Sequence, residues 1–495
     1  MSFDFIRSRR SFLIAIILLT LVSFGLRMFR LGNQSFWIDE ISSITTARAP
    51  MAWVYEGSVL AANSLPTYFL MIRPLVSGST ENLEFRARLL SAIAGTLAVP
   101  VFIGVVYLWR RQRGTALFAG ALLATNPLHL WYSQETRGYS VMLLFGLLTF
   151  LCFELAREKK RPVWWVLYTL SALMAVAVHR TGAIFPAACG LWHLWDVAQR
   201  RTPWKNLLVH APIAIAILIT LTLKSIPPKE GYGRSASGLE IGYTFLTFAG
   251  GYSFGPTVTE LQSHGPRAAI SQHAIETGIL LLVLLALAIV CALNFRRLIF
   301  GREFQLLFLT VGFVSAYALI SGFPYNIRYV LPALLGFLAL AAVCALELKS
   351  SFARLSVAAL LVLSLWADAQ WFYGWQYRKG DSRAVASWLI QNQDRVHSWT
   401  GLPGYMDAPI EWYLRDHPDV LAQEIHPTGD RFTQFPPLPD VLIITRRHHL
   451  EEPDKIIASY QSATYGIETN LTFAAFELYI TTPQNKPANG AVLGK

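Results

Sequence analysis

The chain has 495 residues, of which 54% are hydrophobic and only 15% charged, with a mean hydropathy of +0.40. A soluble domain carries about 25% charged residues, so a wholly soluble protein is excluded, and the length leaves room for roughly ten spans and one modest soluble domain. The net charge of +11 would suit nucleic acid, but the basic residues sit in short clusters between apolar runs, as in a multi-span protein, and no nucleic-acid partner is expected.

In chain order, Arg7, Arg9 and Arg10 precede an apolar run with no small-residue cleavage site before Arg27, which reads as an uncleaved first span. Apolar runs predict eleven spans, near 11–29, 89–109, 115–133, 138–155, 163–179, 181–196, 207–223, 275–294, 304–322, 328–347 and 353–370. If every one crosses, the basic clusters at Arg110/Arg111/Arg113, Arg157/Lys159/Lys160/Arg161, Arg200/Arg201/Lys205, Arg296/Arg297/Arg302 and Lys349/Arg354 join the amino-terminal one on a single side. Cytoplasmic loops retain Lys and Arg, so the amino terminus is expected in the cytoplasm and the carboxyl terminus outside a cell membrane.

The outer face then receives three long segments. Loop 30–88 contains 36-FWIDEISS-43, and loop 224–273 is rich in Gly, Ser, Tyr and Pro and is expected to be mobile. Residues 1–370 form the expected transmembrane module, and residues 371–495 an extracytoplasmic α/β domain with a helix at 381–393 and strands at 440–445 and near 476–481. The stretch 371-WFYGWQY-377 marks the entry to that domain. Cys152, Cys189, Cys291 and Cys344 lie in or beside apolar runs without metal or disulfide spacing, and read as small buried hydrophobes.

Ionisable residues are nearly absent within the spans and gather at their outer ends: Asp39/Glu40, Glu84/Arg86/Arg88, 133-SQETRGY-139, His179/Arg180 and 325-YNIRY-329. Any one cluster could be an interfacial anchor. Five on one face imply a shared, water-filled site.

These motifs resemble a known family. The segments 36-FWIDEISS-43, 84-EFRARLLSAIAGTLAVPVF-102, 127-PLHLWYSQETRGYSVMLL-144, His179 and 325-YNIRYVLPAL-334 are similar to the multi-span GT-C glycosyltransferases. Within them, the likeness is to the protein O-mannosyltransferase and aminoarabinose-transferase superfamily with its RgtA/B/C/D-like members. The resemblance implies a GT-C fold of 11–13 spans, a polyprenyl-phosphate sugar donor, an active site on the outer face and inversion at the anomeric carbon. The acceptor would be a lipid, a polysaccharide or a protein. Relatives often carry a His-Pro-Pro-Leu-Tyr-like segment where this chain reads 64-SLPTYF-69. Pro66 and Tyr68 remain but Ser64 replaces the His, so a divalent metal ion is left open as a cofactor. Gly138 stands where a larger residue is usual and could leave room for a donor.

The chemistry assigns roles to these residues. An acceptor hydroxyl must lose a proton as it attacks, and a nearby carboxylate can take it; Asp39 is the candidate base, with Glu40 in support. Their plain alternative is a helix start, where acids suit the dipole. A phosphate leaving group needs cations, and a guanidinium holds two phosphate oxygens in a fork. Arg137 is the first such candidate, then Arg328, then Arg180. Glu135, Tyr139, His179 and Tyr68 are the candidate substrate contacts, although an aromatic belt would account for the tyrosines. The pattern 446-RRHH-449 reads as a solvated turn. The rival function is a transporter or flippase of lipid-linked sugars; it would string charges along a path through the bilayer and is often built from repeats, neither of which is evident.

Overall fold

The computed structural model describes residues 8–56, 65–222, 238–257, 260–261, 265–321, 325–404, 407–426, 439–445, 450, 453–463, 467, 469–473 and 475–481. The chain divides into two compact units. One comprises Met1–Leu31, Ser43–Phe254 and Ile275–Phe372; the other comprises Gly32–Ser42, Gly255–Ala274 and Tyr373–Lys495.

The first unit is helical. Helix α1 (Arg9–Met28) starts at Ser8, whose hydroxyl accepts from the Ser11 amide. Helix α2 (Ile38–Arg48) begins in the second unit and ends in the first. There follow α3 (Met51–Glu56), α4 (Thr67–Val76), α5 (Leu83–Arg110), α6 (Arg113–Ala124), α7 (Pro127–Ser133), α8 (Tyr139–Lys159), α9 (Pro162–Val178) and α10 (Ile184–Ala198). Helix α8 lies against α5 and α9, and α5 against α1 and α6. Lipid offers no hydrophobic drive for helices to associate, so close approach decides. At Gly146 of α8 a Cβ would sit 2.3 Å from the Phe185 ring of α10, so only glycine admits that ring.

Among the described residues, seven helices are long and apolar enough to cross a membrane: Arg9–Met28, Leu83–Arg110, Tyr139–Lys159, Ala274–Leu293, Arg302–Ser321, Ile327–Glu347 and Ser351–Tyr373. Thr67–Val76, Arg113–Ala124, Pro162–Val178 and Trp204–Ile219 are shorter apolar helices, so the expected count of eleven spans is not confirmed. The predicted span 115–133 is two helices, α6 and α7, because Asn126 caps α7 by accepting from the His129 amide and Pro127 opens it. The predicted span 207–223 starts with a 3₁₀ turn, Trp204–His210. Part of the loop expected to be mobile is helical: Gly238–Gly250 folds as an apolar helix, and the Asn126 side-chain amide donates to its Phe248 carbonyl at 2.8 Å. Residues 224–237 of that loop, Ser64 and 446-RRHH-449 lie outside the described residues.

The second unit carries a four-stranded sheet of order β1 (Trp399–Leu402), β2 (Val441–Thr445), β4 (Phe476–Ile480), β3 (Thr469–Phe473). Strand β2 pairs parallel with β1, Val441 opposite Trp399, and antiparallel with β4, Val441 opposite Ile480. Every residue of β2 is buried, as its unbroken apolar run demands of a strand covered on both faces. One face packs on helices Ser382–Gln391 and Ala408–Leu414, the other on Pro453–Ala463. Asp381 caps the first of these, its carboxylate accepting from the Ala384 amide.

Candidate functional site

The chain between α7 and α8 makes a tight turn, Gln134 to Gly138. Gln134 ties it down: its Nε2 donates to the carbonyls of Arg27 (3.0 Å) and Phe29 (2.9 Å), and its Oε1 accepts from the Trp371 indole at 2.7 Å. Beneath the turn, the fully buried Arg27 donates to Ser133 Oγ (3.2 Å), the Ala124 carbonyl (3.1 Å), Ser23 Oγ (2.7 Å) and His129 Nδ1 (2.7 Å). A buried guanidinium is costly unless it is hydrogen-bonded, and this one spends its donors on the residues that set the turn.

That turn presents Arg137. Its amide bonds the Glu135 carbonyl at 2.8 Å, and its own carbonyl accepts from the Ser91 hydroxyl at 3.1 Å. The guanidinium donates to Ser43 Oγ at 3.2 Å and lies 5.9 Å from the centre of the Tyr139 ring. Tyr139 meets His179 at 5.0 Å, His179 stacks on Tyr329 at 6.4 Å, and Arg328 lies 5.7 Å from the Tyr329 ring. The fold thus gathers Arg137, Tyr139, His179 and Arg328 in one cluster, from three separate stretches of sequence.

His179 registers the surrounding charge. Burial among protein atoms, and then the cations Arg137, Arg328 and Arg180, lower its pKa to about 3, so the imidazole is neutral at ordinary pH. Its Nδ1 faces both the Thr181 amide (3.3 Å) and the Thr181 hydroxyl (2.7 Å), which leaves Nε2 to carry the proton. Arg180 has a buried Nη2 with no hydrogen-bond partner among the described residues.

Tyr68 packs against the same turn, and Glu135 is part of it. The Tyr68 hydroxyl lies 3.3 Å from Ser91 Oγ, and Glu135 is buried. Gly138 does not leave the room for a donor that its small size suggested. A Cβ there would meet Val178 at 3.0 Å and the Tyr68 ring at 3.4 Å, so the space is already filled.

Asp39 and Glu40 occupy the first turn of α2 and differ in environment. Glu40 is fully buried, 3.4 Å from the Lys379 ammonium, which is buried too. Asp39 is half-buried. The segment ahead of them is pinned within its unit: the Phe36 amide donates to the Tyr413 hydroxyl (2.8 Å), the Ser35 hydroxyl to Asp381 (2.7 Å), and the Phe36 ring meets Trp412 edge-on at 6.4 Å.

Sequence reasoning missed Lys379, Ser43 and Arg27. Arg27 had a signal, as an arginine at the end of an apolar run with its snorkelling distance short. Nothing local in the sequence marks Lys379 as the counter-ion of Glu40.

Residues 66–224 match the family model described as dolichyl-phosphate-mannose-protein mannosyltransferase. The chain superposes on ArnT from Cupriavidus metallidurans, solved bound to undecaprenyl phosphate, with a TM-score of 0.51 and 12% identity over 97% of this chain and 100% of that one. Its fold is that of the GT-C glycosyltransferases. The Archaeoglobus fulgidus oligosaccharyltransferase tethered to an acceptor peptide matches with a TM-score of 0.50 and 11% identity, over 98% of this chain and 76% of that one. The same enzyme in complex with zinc and sulfate matches at 0.48 and 12%, over 97% and 74%. No curated protein matches the chain in sequence. With this fold and its long apolar helices, the chain is a multi-pass membrane protein. Among the described residues no group of three or more His, Cys, Asp or Glu side chains is placed to hold a metal, and Glu40 lies 3.4 Å from the Lys379 ammonium.

Proposed function

We propose that this chain is an inverting glycosyltransferase that moves a sugar from a polyprenyl-phosphate donor to a hydroxyl of a lipid, glycan or protein acceptor. The observation that carries the reading is the gathering of Arg137, Arg328 and Arg180 around the neutral His179, with an unspent donor on Arg180. The family match supports it, because residues 66–224 include Tyr68, Glu135, Arg137, Tyr139, His179 and Arg180. So does the undecaprenyl phosphate held by the structurally similar ArnT.

In the proposed reaction the acceptor oxygen attacks the anomeric carbon as that carbon's bond to the phosphate oxygen breaks. The electron pair leaves on the polyprenyl phosphate, where the arginines offset the growing charge. Neutral His179 adds an N–H donor without adding a cation. Asp39 takes the acceptor proton, which leaves Glu40 to hold the loop through Lys379. A single displacement inverts the carbon, and no second carboxylate is required. Tyr139 and Tyr329 offer ring faces to the sugar, and Glu135 and Tyr68 keep the turn in place. The Arg137 turn opens α8, whose far end carries Arg157 and Lys159; this distribution of basic residues supports a reaction at the outer face of a cell membrane.

The test is sugar transfer by purified protein in nanodiscs, offered a panel of radiolabelled polyprenyl-phosphate sugars and a membrane-lipid extract. Wild type should release polyprenyl phosphate, and Asp39→Asn should do so roughly 10²–10⁴-fold more slowly. Equal rates would remove Asp39 from its role. Movement of intact labelled donor across sealed vesicles, with no release, would replace this reading with a flippase.

A further inference from the structure

At the opposite end of α10 from Arg180 lies a second feature, which the proposed transfer does not use. An open cavity of about 390 Å³ runs between the end of α10 and the start of helix Arg302–Ser321. Trp195, Phe300, Phe304, Phe308 and Leu309 line it, and Gln305 adds one polar group. Trp195, Phe300 and Phe308 are more than half exposed, so three aromatic faces stand open where the helices emerge from their bundle. A volume of this size is that of a ligand site, and the lining is suited to hydrocarbon.

The surroundings of the cavity are cationic. Arg296 and Arg297 precede Phe300 by four and three residues, and Arg200 and Arg201 follow Trp195 by five and six, just past the end of α10. Arg302 lies 4.5 Å above the Trp192 ring, one turn from Trp195. The nearby carboxylates are already engaged. Arg157 and Arg201 hold Asp196, and Arg157 and Arg302 hold Glu154. Arg297 donates to the Glu347 carbonyl. Arg200 and Arg296 are exposed, and neither makes an ion pair among the described residues. An apolar slot, with two exposed arginines five residues after its Trp195 and three before its Ile299, matches an amphiphile with an anionic head. Basic pockets between membrane helices recognise such lipids.

We propose that this cavity binds an anionic phospholipid of the surrounding bilayer, with an acyl chain along Trp195, Phe304 and Phe308 and the phosphate at Arg200 and Arg296. The inference does not depend on the transfer reaction. It is a second lipid site, with no sugar and no chemistry, at the other end of α10 from the arginine–histidine cluster.

The experiment uses the full purified chain in mixed micelles, with lipids brominated on the acyl chain as quenchers. The difference in quenching between wild type and Trp195→Phe isolates Trp195. Brominated phosphatidylglycerol should quench Trp195 at a lower mole fraction than brominated phosphatidylcholine, and each arginine removed should cost the preference roughly fivefold. The double variant Arg200→Gln/Arg296→Gln should bring the two lipids to parity, whereas Arg9→Gln/Arg10→Gln should leave the preference intact. Three results would overturn the proposal: equal quenching by the two lipids in wild type; loss of the preference in the Arg9/Arg10 control, which points to diffuse surface charge; or no quenching together with a dimer, by light scattering, that Phe300→Ser dissociates. The last outcome would give the cavity to a second copy of this chain.

Discussion

Two buried clusters in this protein handle charge in opposite ways. Around His179, burial and then three arginines keep the imidazole uncharged. In the sheet-bearing unit, Asp407 faces the carboxyls of Glu424 and Glu411; burial, followed by those acids, pushes its pKa well up, and Glu424 is raised to about 8 by burial and Glu411. No amide, hydroxyl or guanidinium of a described residue bonds the Asp407 carboxyl oxygens. The first cluster has positive charge to offer an anion. The second gathers acids, and burial together with their mutual repulsion favours the protonated forms. The difference teaches that an unusual titration marks function only when the chemistry around it suits a ligand.

Several changes would break that comparison, and the largest effect belongs to the paired charge. Removing one partner of a buried ion pair costs about 3–5 kcal/mol. Lys379→Met should therefore sharply lower the unfolding midpoint of the sheet-bearing unit, while Glu40→Met/Lys379→Met should regain most of the loss. Next comes Arg137→Ala, expected to slow transfer about 10²–10³-fold, as for loss of one transition-state donor, with the thermal midpoint unchanged. A larger fall in that midpoint than in rate would make Arg137 structural. Third, Gly401→Ala drives a Cβ to within 1.6 Å of Asp407 Oδ1. Overpacking of this kind costs about 1–3 kcal/mol and should be visible as faster hydrogen exchange across β1 and β2.

The pH prediction sharpens the contrast. Glu424 has its folded pKa above the unfolded value, so its stability contribution is complete below about pH 4.5 and is lost as pH rises towards 8. His179 has a folded pKa below the unfolded value; its contribution is present above about pH 6.5 and is lost as pH falls towards 3. Hydrogen exchange, corrected for intrinsic rates, should loosen peptides around 399–425 on the alkaline side and those around 139–184 on the acid side. Glu424→Gln should flatten only the first trend. The exposed His426, 3.4 Å from Glu424, would add its own charge near neutrality, so His426→Gln serves as the control.

What could be read from the sequence follows the range of the forces involved. Apolar runs mark long helices because span length is a local requirement, and Asp381 ahead of an amphipathic stretch announces its helix. The division of 115–133 was also written locally, in Asn126-Pro127, but a continuous apolar run conceals a break. The helix at 238–250 went unread because glycines and prolines upstream coloured the whole segment as loop. The stretch 133-SQETRGY-139 stood out as polar at the edge of lipid, and the fold does join Arg137, Tyr139, His179 and Arg328. Glu40 did not announce its partner, since Lys379 lies in a distant and ordinary polar stretch and no single sequence encodes that pairing.

That same distance gives the Glu40–Lys379 contact a history. Ribosomes add about 5–20 residues per second, so Glu40 is made on the order of half a minute before Lys379 exists, and Phe36 waits slightly longer for Tyr413. During that interval the segment that carries Asp39 lacks Lys379, Asp381 and Tyr413, which pin it in the finished protein. The contacts that set the start of α2 are therefore completed only after Tyr413 has been synthesised.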